Sequence, residues 1–150
     1  MVKNFTLQPL VNLAQQRNDA ATKRLGQLNQ QQQSAQSKLD ALLQYRKDYQ
    51  EKFQKSARNG MDPTELRNFQ EFIYRLDEAI AQQRQVATNA ERSVQHGRNE
   101  LKQAQIKMKS FDALAQRQLD RDKLQEAKAE QKLMDEHASR RTSTLNIEAE

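Results

Sequence analysis

Apolar residues recur along the chain at the alternating three- and four-residue spacing of a coiled coil. With heptad position d assigned to Leu7, the apolar a and d residues of a first helix are Leu7, Val11, Ala14, Ala21, Leu25, Leu28, Ala35, Leu39, Leu42, Tyr49 and Phe53. Those of a second helix are Leu66, Phe69, Ile73, Leu76, Ile80, Ala87, Ala90, Val94, Leu101, Ala104, Met108, Phe111 and Ala115. The polar residues Asn18, Gln32, Arg46 and Gln83 also occupy a or d positions, where they fix register at a cost in stability. The pattern predicts two long helices joined along one seam, defined here as the a and d positions.

The segment ARNGMDPTEL, residues 57–66, interrupts this pattern. Asn59-Gly60 suits a helix C-terminus, because glycine adopts the left-handed conformation at little cost. Asp62 can then cap a second helix that has Pro63 at its first position. We therefore predict a single coiled-coil domain over residues 1–150, with helix 1 at about 8–58, a turn at 59–61, helix 2 at about 62–138 and a flexible tail at 140–150.

The short turn makes the two helices antiparallel neighbours. One register then pairs residues whose numbers add to 122, such as Phe53 with Phe69, and it sets large side chains against small ones along the seam. Helix 1 reaches no further than Leu7, which faces Ala115 of helix 2. Residues 116–138 of helix 2 therefore have no partner in helix 1 and form an unpaired overhang. This overhang is either a frayed, solvated helix or a segment that orders on a partner. The predicted fold class is all-α, a two-helix antiparallel coiled-coil hairpin.

The composition agrees with such a chain. Hydrophobic residues make up 35% and charged residues 30%, with three glycines, two prolines and no cysteine. A seam needs less apolar mass than a globular core does. The N-terminal MVKNFTLQPLVNL lacks an apolar signal segment, and no stretch is long and apolar enough to span a membrane, so we expect a soluble, cytoplasmic protein.

Candidate chemistry is sparse. The net charge is +5, but lysine and arginine alternate with acidic residues, which indicates a solvated helix surface rather than nucleic-acid binding. His96 and His137 are isolated, so we expect no metal site. There is no glycine-rich phosphate loop and no nucleophile motif. We therefore expect a protein that is not an enzyme and has no cofactor.

The aromatic residues are concentrated near the turn, where six of the eight lie between Tyr45 and Tyr74. Tyr49 and Phe53 occupy the seam. Tyr45 and Phe72 occupy flanking g positions, where a free hairpin leaves them substantially exposed. A one-sided exposed apolar patch indicates either a different protein partner or self-association.

Two segments beside the turn, LLQYRKDYQEKF (42–53) and NFQEFIYRLDEAIAQQR (68–84), resemble the FliJ family of the bacterial flagellar type III export apparatus. The similarity extends weakly to QKLMDEHASRR (131–141). The resemblance implies an antiparallel coiled coil similar to the rotor-stalk γ subunit of F-type ATPases. It also implies a cytoplasmic stalk or adaptor at the flagellar base, peripheral to the membrane through its partners. Those partners are the export ATPase hexamer (FliI), the cytoplasmic domain of the gate protein FlhA, and export chaperones.

The resemblance also implies that this chain has a gate-binding surface, formed by Leu42, Tyr45, Tyr49, Phe72, Leu76 and Ala79. At its rim the sequence departs from the family pattern, with Lys38 in place of a glutamine and Gln83 in place of a histidine. The terminal end of the hairpin is then expected in the ATPase ring. The alternatives are the stalk protein of a virulence-type secretion system and a structural, homo-oligomeric coiled coil.

Overall fold

The computed structural model describes residues 7–149, which form two helices, α1 (Gln8–Arg58) and α2 (Pro63–Glu148), in an antiparallel hairpin. No strand occurs in this range. The predicted all-α hairpin is thus confirmed. The absence of a signal segment was argued partly from residues 1–6, and these, like Glu150, lie outside the described residues. Within 7–149 neither helix has a stretch apolar and long enough to cross a membrane.

The turn has the backbone features that its sequence predicts. Gly60 adopts a φ of +92°, a left-handed conformation that side-chain-bearing residues rarely take. The Leu66 N–H donates to the Asp62 carbonyl at 3.0 Å, which places Asp62 at the N-cap and Pro63 at the first helical position. The chain therefore reverses over four residues and returns alongside itself.

Helix α2 continues beyond the predicted end of helix 2 at about residue 138 and reaches Glu148. That residues 140–150 are flexible stays a prediction. Serine, threonine and asparagine suggested a tail, yet no glycine or proline follows Gly97 to stop the helix. Two threonine hydroxyls are also satisfied within the helix. Thr142 Oγ1 donates to the Ala138 carbonyl and Thr144 Oγ1 to the Arg140 carbonyl, each at 2.9 Å.

Residues Arg17–Ala104 form one compact unit. Within it, every predicted seam position from Asn18 to Phe53 and from Phe69 to Ala104 is buried or half-buried. The best-packed cluster consists of Leu39, Leu76 and Ile80. The seam is therefore the core of this unit.

Two contacts in this unit confirm the predicted register. The rings of Phe53 and Phe69 stack with centroids 3.7 Å apart. Gly97 is buried so closely against α1 that a Cβ placed on it would lie 2.7 Å from Leu28 Cδ1 and 3.4 Å from Leu25 Cδ1. Phe53–Phe69 and Leu25–Gly97 are pairs that the heptad pattern sets opposite each other, and Leu28 belongs to the adjacent layer.

The polar residues at seam positions are accommodated in different ways. Gln83 Nε2 donates to the Ala35 carbonyl at 2.9 Å, which joins the two helices. The Asn18 Oδ1 atom is buried and has no hydrogen-bond partner within residues 7–149. An unsatisfied buried oxygen costs stability, so Asn18 weakens the packing of the two helices. Gln83 instead joins them by a hydrogen bond.

The described residues of Met1–Gln16 and Gln105–Glu150 form the other compact unit. Ala14 is buried, while Val11, Met108, Phe111 and Ala115 are half-buried, as their seam positions predict. From residue 119 to 149 every residue is exposed. That the whole chain forms a single domain, with an unpaired overhang at 116–138, stays a prediction.

We predict opposite effects on stability for alanine at two helical glycines. Gly26→Ala raises the free energy of unfolding by up to about 1 kcal/mol, because alanine is the better helix former and nothing lies within 4 Å of the added methyl. Gly97→Ala lowers it by about 1 kcal/mol, because displacing Leu28 costs more than the helix propensity gains. Urea unfolding followed by circular dichroism measures both. An equal gain in both variants would contradict the register.

Candidate partner-binding surface

The candidate surface is the g edge, defined as the flanking g positions near the turn: Lys38, Tyr45 and Lys52 of α1 with Phe72, Ala79 and Val86 of α2. Tyr45 is 53% exposed and Val86 50% exposed. Phe72 is half-buried rather than substantially exposed as predicted, because its ring packs against the cluster around Leu39. The exposed part of the g edge is therefore narrower than the sequence indicated.

The aromatic rings form a continuous chain from the seam to this surface. Tyr49 is half-buried, with its ring centroid 5.0 Å from that of Phe69 and 4.4 Å from that of Phe72. The Tyr45 ring lies 6.4 Å from Tyr49 and 6.0 Å edge-on from Phe72. Such pairs add stability beyond the area they bury, so these rings hold one another in place. Tyr49 thus joins the seam to the surface.

The residues carried over from the family resemblance lie at different depths. Tyr45, Tyr49 and Phe72 are in ring contact, and Leu42 packs on the same core cluster as Phe72. Leu76 is buried at 7% exposure and supports the surface from beneath. Ala79 is half-buried on the g edge. That these six residues contact a partner stays a prediction.

The two rim residues also differ in their surroundings. Lys38 is exposed, whereas Gln83 is half-buried and its amide is engaged by the Ala35 carbonyl. Both line an open groove of about 710 Å³ that continues along the g edge away from the turn. Its other lining residues are Gln27, Gln30, Gln31, Ser34, Ala35, Val86, Asn89, Ala90 and Ser93.

The opposite edge of the hairpin, formed by the e positions, is closed by polar contacts. Arg46 leaves the seam to donate from Nε to Asp77 Oδ1 at 2.6 Å and from Nη1 to Gln50 Oε1 at 3.0 Å. The hydrogen bond and charge of Asp77 raise the pKa of Arg46 above its ordinary value. Near the turn the e edge therefore pairs Arg46 with Asp77 and Gln50, and its exposed apolar side chain is Leu43.

Sequence reasoning left Val86 out of the predicted contact residues, although it continues the seven-residue spacing of Phe72 and Ala79. That spacing was the signal that could have found it. Tyr74 is even more exposed, at 65%, but it occupies a b position outside the g edge. Its ring therefore adds nothing to the surface.

No cluster of three or more metal-ligating residues occurs among residues 7–149. His96 Nε2 lies 3.0 Å from Glu100 Oε1, one turn along the same helix. The features that stand out are thus a helical hairpin and a one-sided aromatic surface. They define a protein of the coiled-coil interaction class.

The family model described as "Flagellar FliJ protein" matches residues 3–145. The chain therefore belongs to the FliJ family, as the segments beside the turn indicated. It is 29% identical over 140 residues to the flagellar FliJ protein of Salmonella typhi and 28% identical over 140 residues to that of Escherichia coli K12. Each alignment covers 93% of this chain and 95% of the relative. Family membership makes the protein a component of flagellar protein export. The FliJ family is not a known enzyme family.

We predict that the two tyrosines differ in their importance for folding. Tyr49→Ala lowers the free energy of unfolding by about 3 kcal/mol, because it removes a ring packed between Phe69 and Phe72. Tyr45→Ala lowers it by about 1 kcal/mol, because this ring is 53% exposed and its contacts with Tyr49 and Phe72 are at centroid distances of 6.4 and 6.0 Å. Urea denaturation of the two variants measures the difference. Equal losses would show that Tyr45 belongs to the core.

Proposed function

We propose that the protein is a non-enzymatic adaptor of flagellar export that links the export ATPase (FliI) to the cytoplasmic domain of the gate protein FlhA and escorts export chaperones. It is a cytoplasmic protein that lies at the cytoplasmic face of the membrane at the flagellar base, where its partners hold it. The observation that carries the proposal is the exposed cluster of contacting aromatic rings on one edge of the hairpin. Such a surface is typical of a protein-binding site rather than of catalysis.

The gate contact is placed on Leu42, Tyr45, Tyr49, Phe72, Leu76 and Ala79. Its centre is Tyr45, whose ring is half-exposed yet held by Tyr49 and Phe72. An aromatic side chain that is already ordered loses little conformational entropy on binding. This makes Tyr45 the residue best suited to anchor the interface.

The ATPase contact is placed on the exposed part of α2. Residues 119–149 are helical to Glu148 and expose the apolar residues Leu124, Leu133, Met134 and Leu145. A long helix with exposed apolar and charged groups can engage a partner through several turns. The family match favours a flagellar over a virulence-type apparatus.

We predict that Tyr45→Ala weakens binding to the gate's cytoplasmic domain by at least about tenfold, because it removes the aromatic anchor. Phe72→Ala gives a similar loss, together with some loss of stability because Phe72 also packs on the core. Isothermal titration calorimetry with the full chain measures both affinities, and circular dichroism reports helicity.

Tyr74→Ala is the matched control, because Tyr74 is a more exposed tyrosine in the same segment but lies off the g edge. It is expected to bind the gate domain as the wild type does. If Tyr45→Ala and Tyr74→Ala bound equally well, the gate would not contact this surface.

A further inference from the structure

We infer that the partner-binding surface continues along the g edge from Tyr45 to Val86, and that Lys38 within it selects a partner segment bearing a carboxylate between two apolar side chains. The inference rests on the proposed gate contact and specifies what that partner presents. It adds Lys38 and Val86 as residues that determine specificity.

The continuity of this strip follows from the order of the g positions. Starting at the turn, Tyr45 lies beside Phe72, and Ala79, Lys38 and Val86 follow in that order away from the turn. Val86 is 50% exposed and lines the same groove as Lys38. Seven helical residues span roughly 10 Å, so Tyr45 lies about that far from Lys38 toward the turn, while Val86 lies across the groove on its other side.

The groove beside Lys38 gives this strip its depth. Lys38, Gln83 and Val86 share its lining with small and uncharged side chains such as Ser34 and Ala90. Gln83 Nε2 donates to the Ala35 carbonyl, so this polar group of the groove wall already has a partner within the chain. An apolar side chain from a partner can enter over Val86, and Lys38 is then the charged group of the lining that the partner must neutralise.

Lys38 is the cation of this strip, and the α2 side chains that share its groove, such as Gln83 and Val86, include no acidic group. The ion pairs of residues 7–149 are Arg24–Glu100, Arg46–Asp77, Arg75–Glu71 and His96–Glu100, and none involves Lys38. A partner carboxylate supplies the missing countercharge.

The same charge disfavours a second copy of this chain as the occupant. In a two-fold pairing centred on the strip, each surface meets itself. Lys38 of one copy would then face Lys38 of the other, with no carboxylate between them. Like charges at the centre of an interface oppose association, so the strip fits a different protein.

The test measures binding of the gate's cytoplasmic domain to full-length variants by calorimetry at low and high salt. Lys38→Glu is expected to weaken binding about tenfold at low salt, because attraction becomes repulsion. Val86→Gln is expected to weaken it about fivefold through lost apolar contact. Lys38→Gln is expected to reduce the salt dependence of the affinity.

Lys47→Glu is the matched control, since it makes the same charge change at a b position of α1, off the g edge. It is expected to bind as the wild type does. If Tyr45→Ala lost binding while Lys38→Glu and Val86→Gln kept it, the extended strip would be wrong and the gate contact would stand. If Tyr45→Ala also bound normally, both would fail. A wild-type dimer in sedimentation that Val86→Gln dissociates would overturn the inference in favour of self-association.

Discussion

Close packing between the two helices near Gly97 and at the Phe53–Phe69 stack sets the register on which the rest of the unit Arg17–Ala104 depends. A shift of one helix by one residue would misalign the side chains that interdigitate in the seam or, if the helix also rotated by about 100°, would turn seam residues toward solvent. The register therefore decides which side chains are core and which are surface. It places Val94 in the seam at 1% exposure and leaves Tyr45 half-exposed.

The two edges of this unit differ because the register brings different groups together on each. On the e edge Arg46 reaches Asp77 and Gln50, so charge and hydrogen-bonding capacity are used within the chain. On the g edge Tyr45 and Phe72 are in ring contact, while Lys38 shares a groove with Gln83 and Val86. Exposed apolar area and the charge of Lys38 are thus left on a single side. Such an edge is suited to contact with another protein.

Much of this could be predicted from the sequence, because a heptad repeat and a strong turn signal fix helix boundaries and facing pairs almost by themselves. The end of α2 could not be predicted from the sequence, because polar residues such as Thr142 form hydrogen bonds equally well within a helix or to water. The burial of Phe72 was also missed, since heptad letters give a direction and not the reach of a large ring across the seam. Val86 was missed because the resemblance to the family, rather than the spacing, chose the site residues.

The most direct test of the account is site-specific photo-crosslinking in flagellated cells, with the crosslinking residue placed at Tyr45 or at Leu43. Both positions are exposed and lie two residues apart on α1, but Tyr45 is on the g edge and Leu43 on the e edge. The account predicts a crosslink to the export gate from Tyr45 and none from Leu43. Equal crosslinking from both positions, or crosslinking from Leu43 alone, would contradict it.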